Sequence, residues 1–217
     1  MYETFNKLPT KRQDEILYAA AEVFAEYGYW RANINSICER ANMSNGALYR
    51  YFKSKEKLYT YVFQHVVKTM QAAYALHEKS DCSIYELIRQ MLNSVAASFQ
   101  RHPAYFLLYA DIWSTSMNDL ADKITIEGET VIENAWINLA EKAIARGEIA
   151  RSIPPKQAAY LIDSETLLFF FSLASTYHRK RFEVFLCDAD GNLSVDTLIN
   201  RIVDNLRTCL SPKADPE

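Results

Sequence analysis

Residues 16–27 carry the pattern that most limits what this chain can become. Ile16, Ala19, Ala20, Val23, Phe24 and Tyr27 recur at i, i+3, i+4, i+7, i+8 and i+11, one apolar stripe on a 3.6-residue period. A strand would split these residues between two faces, so only a helix buries them together. Similar periods recur along the 217 residues, and 5 Gly with 6 Pro leave few of the turns that a strand-rich chain requires. The expected fold is all-α, with about nine helices read from the periodicity.

Punctuation divides the pattern. Gly28 ends the first helix as a left-handed cap. Asn33 caps a short second helix that turns Ile34, Ile37 and Ala41 inward. Asn42, tolerant of left-handed backbone angles, makes a tight turn with Met43 and Ser44. Ser44 caps a third helix over 45–52, and Ser54 a fourth, longer helix to about residue 77. Ser83 and Glu86 form a capping box for 84–101, and Pro103 suits the first turn of a helix to about 115. A long helix over 118–146 stops at Gly147. Pro154-Pro155 opens a single helix to about 182, and Ser194 starts the last, to about 210. The spacing predicts a three-helix N-terminal domain over 1–56, a larger helical bundle over 57–211 and a tail over 212–217.

The segment 44–56, SNGALYRYFKSKE, is unusual for a helix. A glycine lies in its first turn, three rings crowd the next, and cations flank it. Residues 33–52 have the layout of a helix-turn-helix, whose second helix enters the DNA major groove. Gly46 then sits where a side chain would hold the backbone away from DNA. Ser44 and Asn45 can meet phosphates or base edges, and Tyr49 and Tyr51 offer hydroxyls on rigid rings. Leu48 and Phe52 face inward, while Lys53, Lys55 and Lys57 flank the site. Net charge is −3, but residues 1–60 hold nine Lys/Arg against seven Asp/Glu and the remainder fifteen against twenty. A cationic end on an acidic body is compatible with a phosphate-facing module.

The pieces ILYAAAEVFAEYGY (16–29), INSICERANMSNGALYRYF (34–52) and KSKEKL (53–58) resemble, in order, the N-terminal domain of TetR-type transcriptional regulators. The resemblance implies a homodimer that binds double-stranded DNA at a palindromic operator and a small-molecule effector in its C-terminal domain. It also implies a DNA face made of Asn33, Asn35, Ser44, Asn45, Gly46, Ala47, Tyr49, Tyr51 and Lys55. The chain departs from the family pattern at Asn33, usually Thr or Ser, at Asn42, usually Gly, at Ala47, often Thr, and at Asn45, commonly basic.

The C-terminal part is rich in large apolar side chains. Packed core accounts for most of them; a largely apolar effector pocket between helices would draw on Phe63, Met70, Met91, Phe99, Phe106, Tyr109, Trp113, Trp136 and Phe170. Asp111, His102, Asp163 and Glu165 interrupt apolar surroundings and read as solvated or capping groups. Residues 156–178 are apolar on more than one side, and Leu198, Ile199, Ile202, Val203, Leu206 and Leu210 form a stripe on the final helix. These last two helices are the expected dimer interface.

No apolar run reaches the roughly 18 residues of a membrane span, and MYETFNKLPTKRQDE lacks a signal-peptide core. Cys38, Cys82, Cys187 and Cys209 have no paired spacing, as in a reduced, cytoplasmic chain. No metal site or cofactor motif is expected. The acids near Gly191 miss the first and last ligands of a calcium loop, and no catalytic motif occurs. The expected function is ligand-responsive repression of transcription rather than catalysis. The alternatives are a helical dimeric adaptor whose helix-turn-helix binds protein, and a helical enzyme without a recognisable motif.

Overall fold

The computed structural model describes residues 2–75, 81–112, 118–187 and 193–213, with side chains given outside 70–75, 111–112 and 118–131. Among them are eleven helices and no strand: α1 Glu3–Asn6, α2 Thr10–Arg31, α3 Ile34–Arg40, α4 Asn45–Tyr51, α5 Lys55–Ala75, α6 Ile84–Arg101, α7 Pro103–Ile112, α8 Asn118–Ala145, α9 Pro155–Ala174, α10 Thr176–Leu186 and α11 Val195–Leu210. Two of these exceed the nine expected. The first is α1, a single turn too short to carry a period. The second arises because the helix expected over 155–182 breaks at Ser175.

That break has a local cause. Ser175 adopts an extended backbone, and its hydroxyl accepts the His178 N–H at 3.5 Å, so one serine closes α9 and caps α10. The two helices bend by 119° across it. Other expected caps form as read. Asn33 accepts from Asn35 N–H at 2.9 Å, Ser44 from Ala47 N–H at 3.2 Å, and Ser194 from Thr197 N–H at 3.0 Å. Asn42 has φ 47° and Gly147 φ 74°, the left-handed turns that end α3 and α8. Gly28 also has positive φ, 68°, but the chain resumes a helical turn after it, so it kinks α2 three residues before its end. The capping box at α6 is half made. Ser83 accepts from Glu86 N–H at 3.3 Å, but Glu86 bonds Gln90, and the Ile84 N–H goes to the Glu148 carboxylate at 2.6 Å.

The chain forms two compact units, residues 1–69 with 101–121, and residues 70–100 with 122–217. In the first, the stripe of α2 packs with Ile37, Leu48, Phe52, Leu58, Val62 and Val66, all buried, and α7 lies along α2. In the second, the core joins α6, α8, α9 and α11 through Leu87, Ile88, Met91, Trp136, Ala140, Ile162 and Phe169. The α11 stripe from Leu198 to Leu210 is fully buried in that core. These side chains of α11 therefore belong to the interior of this subunit. The outward apolar side chains are instead on α9 and α10: Tyr160, Leu168, Tyr177, Val184 and Phe185.

Candidate nucleic-acid interface

The reader is built on α2. Its stripe buries Ile37 and Cys38 of α3 and Leu48 of α4 on one side of the helix-turn-helix. Arg12 fastens the turn from beneath. Its guanidinium donates to Ala41 O at 2.6 Å and Asn42 O at 3.2 Å, so a cation meets the C-terminal carbonyls of α3, and it also pairs with Glu15 at 2.9 Å. Arg40 pairs with Glu26 across to α2. Neither clamp is legible in periodicity, because an arginine on an exposed helix face carries no sign of which carbonyl it will reach.

A second support comes from the extreme N-terminus. Phe5 is fully buried, with Phe52, Tyr61 and Tyr51 rings at 4.7, 5.4 and 5.8 Å, and Tyr2 lies on Tyr61 at 4.5 Å. Tyr61 donates to Asn6 Oδ1 at 2.9 Å. These rings form a bed under the C-terminal end of α4. The apolar pair Tyr2 and Phe5 is the signal for it, three residues apart ahead of the α2 stripe.

Opposite this bed α4 is open. Tyr49 is 48% exposed, Ser44, Asn45 and Gly46 are exposed, and Ala47 is half-buried. A Cβ built on Gly46 meets nothing within 4 Å, so no neighbour within the protein requires glycine there. Asn33 and Asn35 are exposed on the adjoining start of α3. Asn45 Nδ2 donates to Asn35 Oδ1 at 2.5 Å. Both amides line an open groove of about 590 Å³ with Cys38, Glu39, Asn42, Met43 and Ser44. Of the nine residues expected on the DNA face, Asn35, Ser44 and Asn45 line this groove, Asn33, Gly46 and Tyr49 are exposed, Ala47 is half-buried, and Tyr51 is half-buried with one edge of its ring on Phe5.

Lys55 does not belong with them. Its ammonium donates to Trp30 O and Ala32 O, each at 3.2 Å, and sits 4.8 Å from the centre of the Tyr29 ring. It caps the end of α2 and is committed within the protein. Arg50, Lys53 and Lys57 are exposed.

A model of the bacterial regulatory proteins of the tetR family matches residues 16–62. This part of the chain is similar to that family. The match runs from the start of the α2 stripe to the second turn of α5 and takes in all of α3 and α4. The chain is similar to the HTH-type transcriptional regulator LuxR of Vibrio harveyi, 28% identical over 70% of this chain and 74% of that one. It is also similar to the HTH-type transcriptional repressor KstR2 of Mycolicibacterium smegmatis, 26% identical over 64% and 68%. Among solved structures, the transcriptional regulator FadR of Bacillus subtilis, in complex with stearoyl-CoA, has the same fold with a TM-score of 0.68 at 19% identity, covering 88% of this chain and 96% of that one. LuxR and KstR2 are both transcriptional regulators by name.

The residues expected around an effector are distributed more widely. In the first unit Phe63 is buried and stacks on Tyr109, centroids 5.9 Å apart and planes nearly parallel, and Phe106 is buried. In the second, Met91, Trp136 and Phe170 are buried and Phe99 half-buried. The side chains of Met70 and Trp113 lie outside the described residues, as does that of Asp111. The second unit contains a cavity of about 300 Å³ between α8 and α9, lined by Ile132, Glu133, Trp136, Lys156, Ala159, Tyr160 and Asp163. Asp163, read from sequence as solvated, accepts the Trp136 indole N–H at 3.2 Å. Burial raises its carboxyl above the usual range, against the lowering effect of that bond, and burial also raises Glu165. His102 is exposed, its ring 5.4 Å from Tyr18 and 5.6 Å from Tyr105. Among the described residues no cluster of three or more His, Cys, Asp and Glu could hold a metal ion.

Proposed function

We propose that this regulator is a ligand-responsive repressor. It binds a palindromic operator as a homodimer and leaves it when a small, largely apolar effector occupies the C-terminal domain. Residues 1–56 read DNA, 57–211 bind effector and partner subunit, and 212–217 are a tail. Asn33, Asn35, Ser44, Asn45, Gly46, Ala47, Tyr49 and Tyr51 form the DNA face, with Lys55 reassigned as a scaffold residue. The observation that carries this reading is the two-sidedness of α4: Leu48 and Phe52 are buried, while Gly46 and Tyr49 stand open. Such a helix has a reason to present a bare backbone and phenol hydroxyls to solvent only if something with phosphates and base edges meets it.

Control follows from α5. Two readers must stand about one DNA turn apart, roughly 34–36 Å or a multiple. A ligand that tilts α5 changes that separation. It does so only to the extent that it prefers one arrangement over the other, and a preference of about 100-fold, ~2.7 kcal/mol, is an ordinary coupling. KstR2 is named a repressor, and the FadR structure holds stearoyl-CoA; both support repression relieved by an apolar effector. No single described helix is long and apolar enough to cross a membrane, which fits a regulator working in the cytoplasm.

Selection of duplexes from a random pool tests the reading, followed by a salt titration on the selected site. The expected result is an inverted repeat whose affinity falls steeply with ionic strength. Fatty acyl thioesters and other apolar compounds are then screened for release. A pool that yields no preferred duplex, or binding indifferent to salt, rejects DNA reading. Release by no apolar compound while a polar one succeeds rejects the effector class.

A further inference from the structure

We propose that Asn45 reads an adenine in each operator half-site and that Asn35 is the positioning residue that aims it. The inference rests on the reading of α3 and α4 as the DNA face, and adds to it a base and a division of labour.

A primary amide carries two donor hydrogens on nitrogen and two acceptor lone pairs on oxygen. Asn45 spends one hydrogen on Asn35 Oδ1, at 2.5 Å. One N–H and the carbonyl oxygen of Asn45 remain, at the first helical position of α4, on an exposed side chain. A phosphate accepts hydrogen bonds and donates none, so it would use the N–H and leave the oxygen facing an anion. Among base edges in the major groove, adenine sets an acceptor, N7, beside a donor, the N6 amino group, and is the base that an asparagine amide meets with both groups at once.

The bond to Asn35 matters for two reasons. An asparagine amide turned by 180° exchanges its donor and acceptor. With Asn35 Oδ1 as neighbour, the turned amide would place two carbonyl oxygens against each other, so the observed sense is favoured. The tether also removes rotamer freedom before DNA arrives, which lowers the ordering cost of binding. The backbone from which the Asn35 side chain springs is fixed by the α3 cap, where the Asn35 N–H is donated to the Asn33 side chain at 2.9 Å. Three asparagines, in two helices, thus run as a chain from the α3 cap to the start of α4. The groove that Asn35 and Asn45 line contains no Lys or Arg, so donor–acceptor matching there is not overridden by attraction to phosphate.

The test uses the full-length protein, its Asn45→Ala and Asn35→Ala variants, and the operator selected by the unaltered protein. Each invariant adenine is replaced in turn by 7-deazaadenine, which lacks the N7 acceptor and keeps the pairing edge. The expected result is one adenine per half-site at which the replacement weakens the unaltered protein by about 10-fold, the discrimination of a good bidentate pair. Asn45→Ala should lose that penalty, and Asn35→Ala should lose most of it, while both variants keep their melting temperature. If an operator is found but no deaza penalty depends on Asn45, the adenine assignment is overturned and DNA reading stands. If the penalty depends on Asn45 and is intact in Asn35→Ala, the positioning role is overturned. A uniform loss on every duplex in Asn35→Ala also overturns it, since that would mark support of the fold rather than aiming of one amide. If no operator is selected at all, the proposed function fails together with this inference.

Discussion

Gly46 separates folding from binding at a single atom. Its φ is not in the left-handed range, and a Cβ there would have open space. Gly46→Ala should therefore leave the fold intact and even stabilise it, by up to about 1 kcal/mol from helix propensity. Duplex binding should fall on the order of tenfold, about 1.4 kcal/mol, because the added methyl stands between the helix backbone and its target. Urea melts and a fluorescence titration on the same preparation check the pair, and a variant that is more stable yet binds as before would remove the glycine from the DNA face. Tyr49→Phe asks a different question. A phenol hydroxyl that bonds a charged phosphate is worth about 1.5–3 kcal/mol, so binding should weaken roughly 10- to 150-fold for operator and unrelated duplex alike. Tyrosine brings no charge, so the slope of affinity against salt should stay the same, whereas Lys53→Ala should reduce it by about one. The residue-level chemistry of α4 was legible in the sequence because exposed glycine and tyrosine are both conspicuous in a helix. The role of Lys55 was not. A lysine on a four-carbon stem beside a DNA face looks like a phosphate partner until the carbonyls of Trp30 and Ala32 are seen within its reach.

At the scale of elements, caps and left-handed turns were the reliable text. Asn33, Asn42, Ser44, Ser194 and Gly147 each act within their own few residues, so their geometry could be read without knowing the fold. What failed depended on distant partners. Glu148 takes the Ile84 N–H at the start of α6 from 64 residues away, a bond that no local pattern announces. The packing of α2, α5 and α7 was equally invisible, and it sets a pH dependence. His65 on α5 is half-buried, its ring 5.7 Å from Tyr105 of α7. Burial lowers its pKa, Lys68 and His102 lower it further, and Asp14 opposes them. Tyr105 is pushed strongly up by burial, then by Asp14 and Tyr18, so it stays a neutral phenol. A histidine with a lowered native pKa binds its proton more readily when the chain is unfolded. Stability is therefore greatest above the ordinary histidine value of about 6.5 and falls as pH drops from there toward the lower native pKa. Melting temperature should decline as pH falls below about 6.5, and His65→Gln should flatten that part of the curve. An unchanged slope in the variant would place the pH sensitivity elsewhere.

For the whole molecule the open question is how one subunit recognises another, and the exposed apolar side chains bear on it. Tyr177, Val184 and Phe185 are 69, 79 and 70% exposed on α10, at i, i+7 and i+8, so they share one side of that helix; Tyr160 is 70% exposed on α9. Such a cluster is unusual on a monomer unless it meets something. A second copy of the chain is the proposed occupant, since a palindrome demands twofold symmetry and a twofold interface uses the same patch on both subunits. Two cations beside the cluster do not forbid this. Arg181 lies over the Phe185 ring at 5.1 Å and Lys180 is exposed beside it, as rim cations around an apolar centre would be. Val184→Glu places a carboxylate at the centre of the patch, and in a twofold interface it does so twice. Sedimentation should shift from dimer to monomer at micromolar concentration, while helical content and melting of the isolated subunit persist, because no residue of α10 is buried in the subunit core. Operator affinity should fall at least 100-fold as the second half-site contributes nothing, and a lone half-site should bind as weakly to the variant as to the unaltered protein. A dimer that survives both Val184→Glu and Phe185→Glu would move the interface off α10. A monomer that still binds the full operator tightly would remove dimerisation from the mechanism.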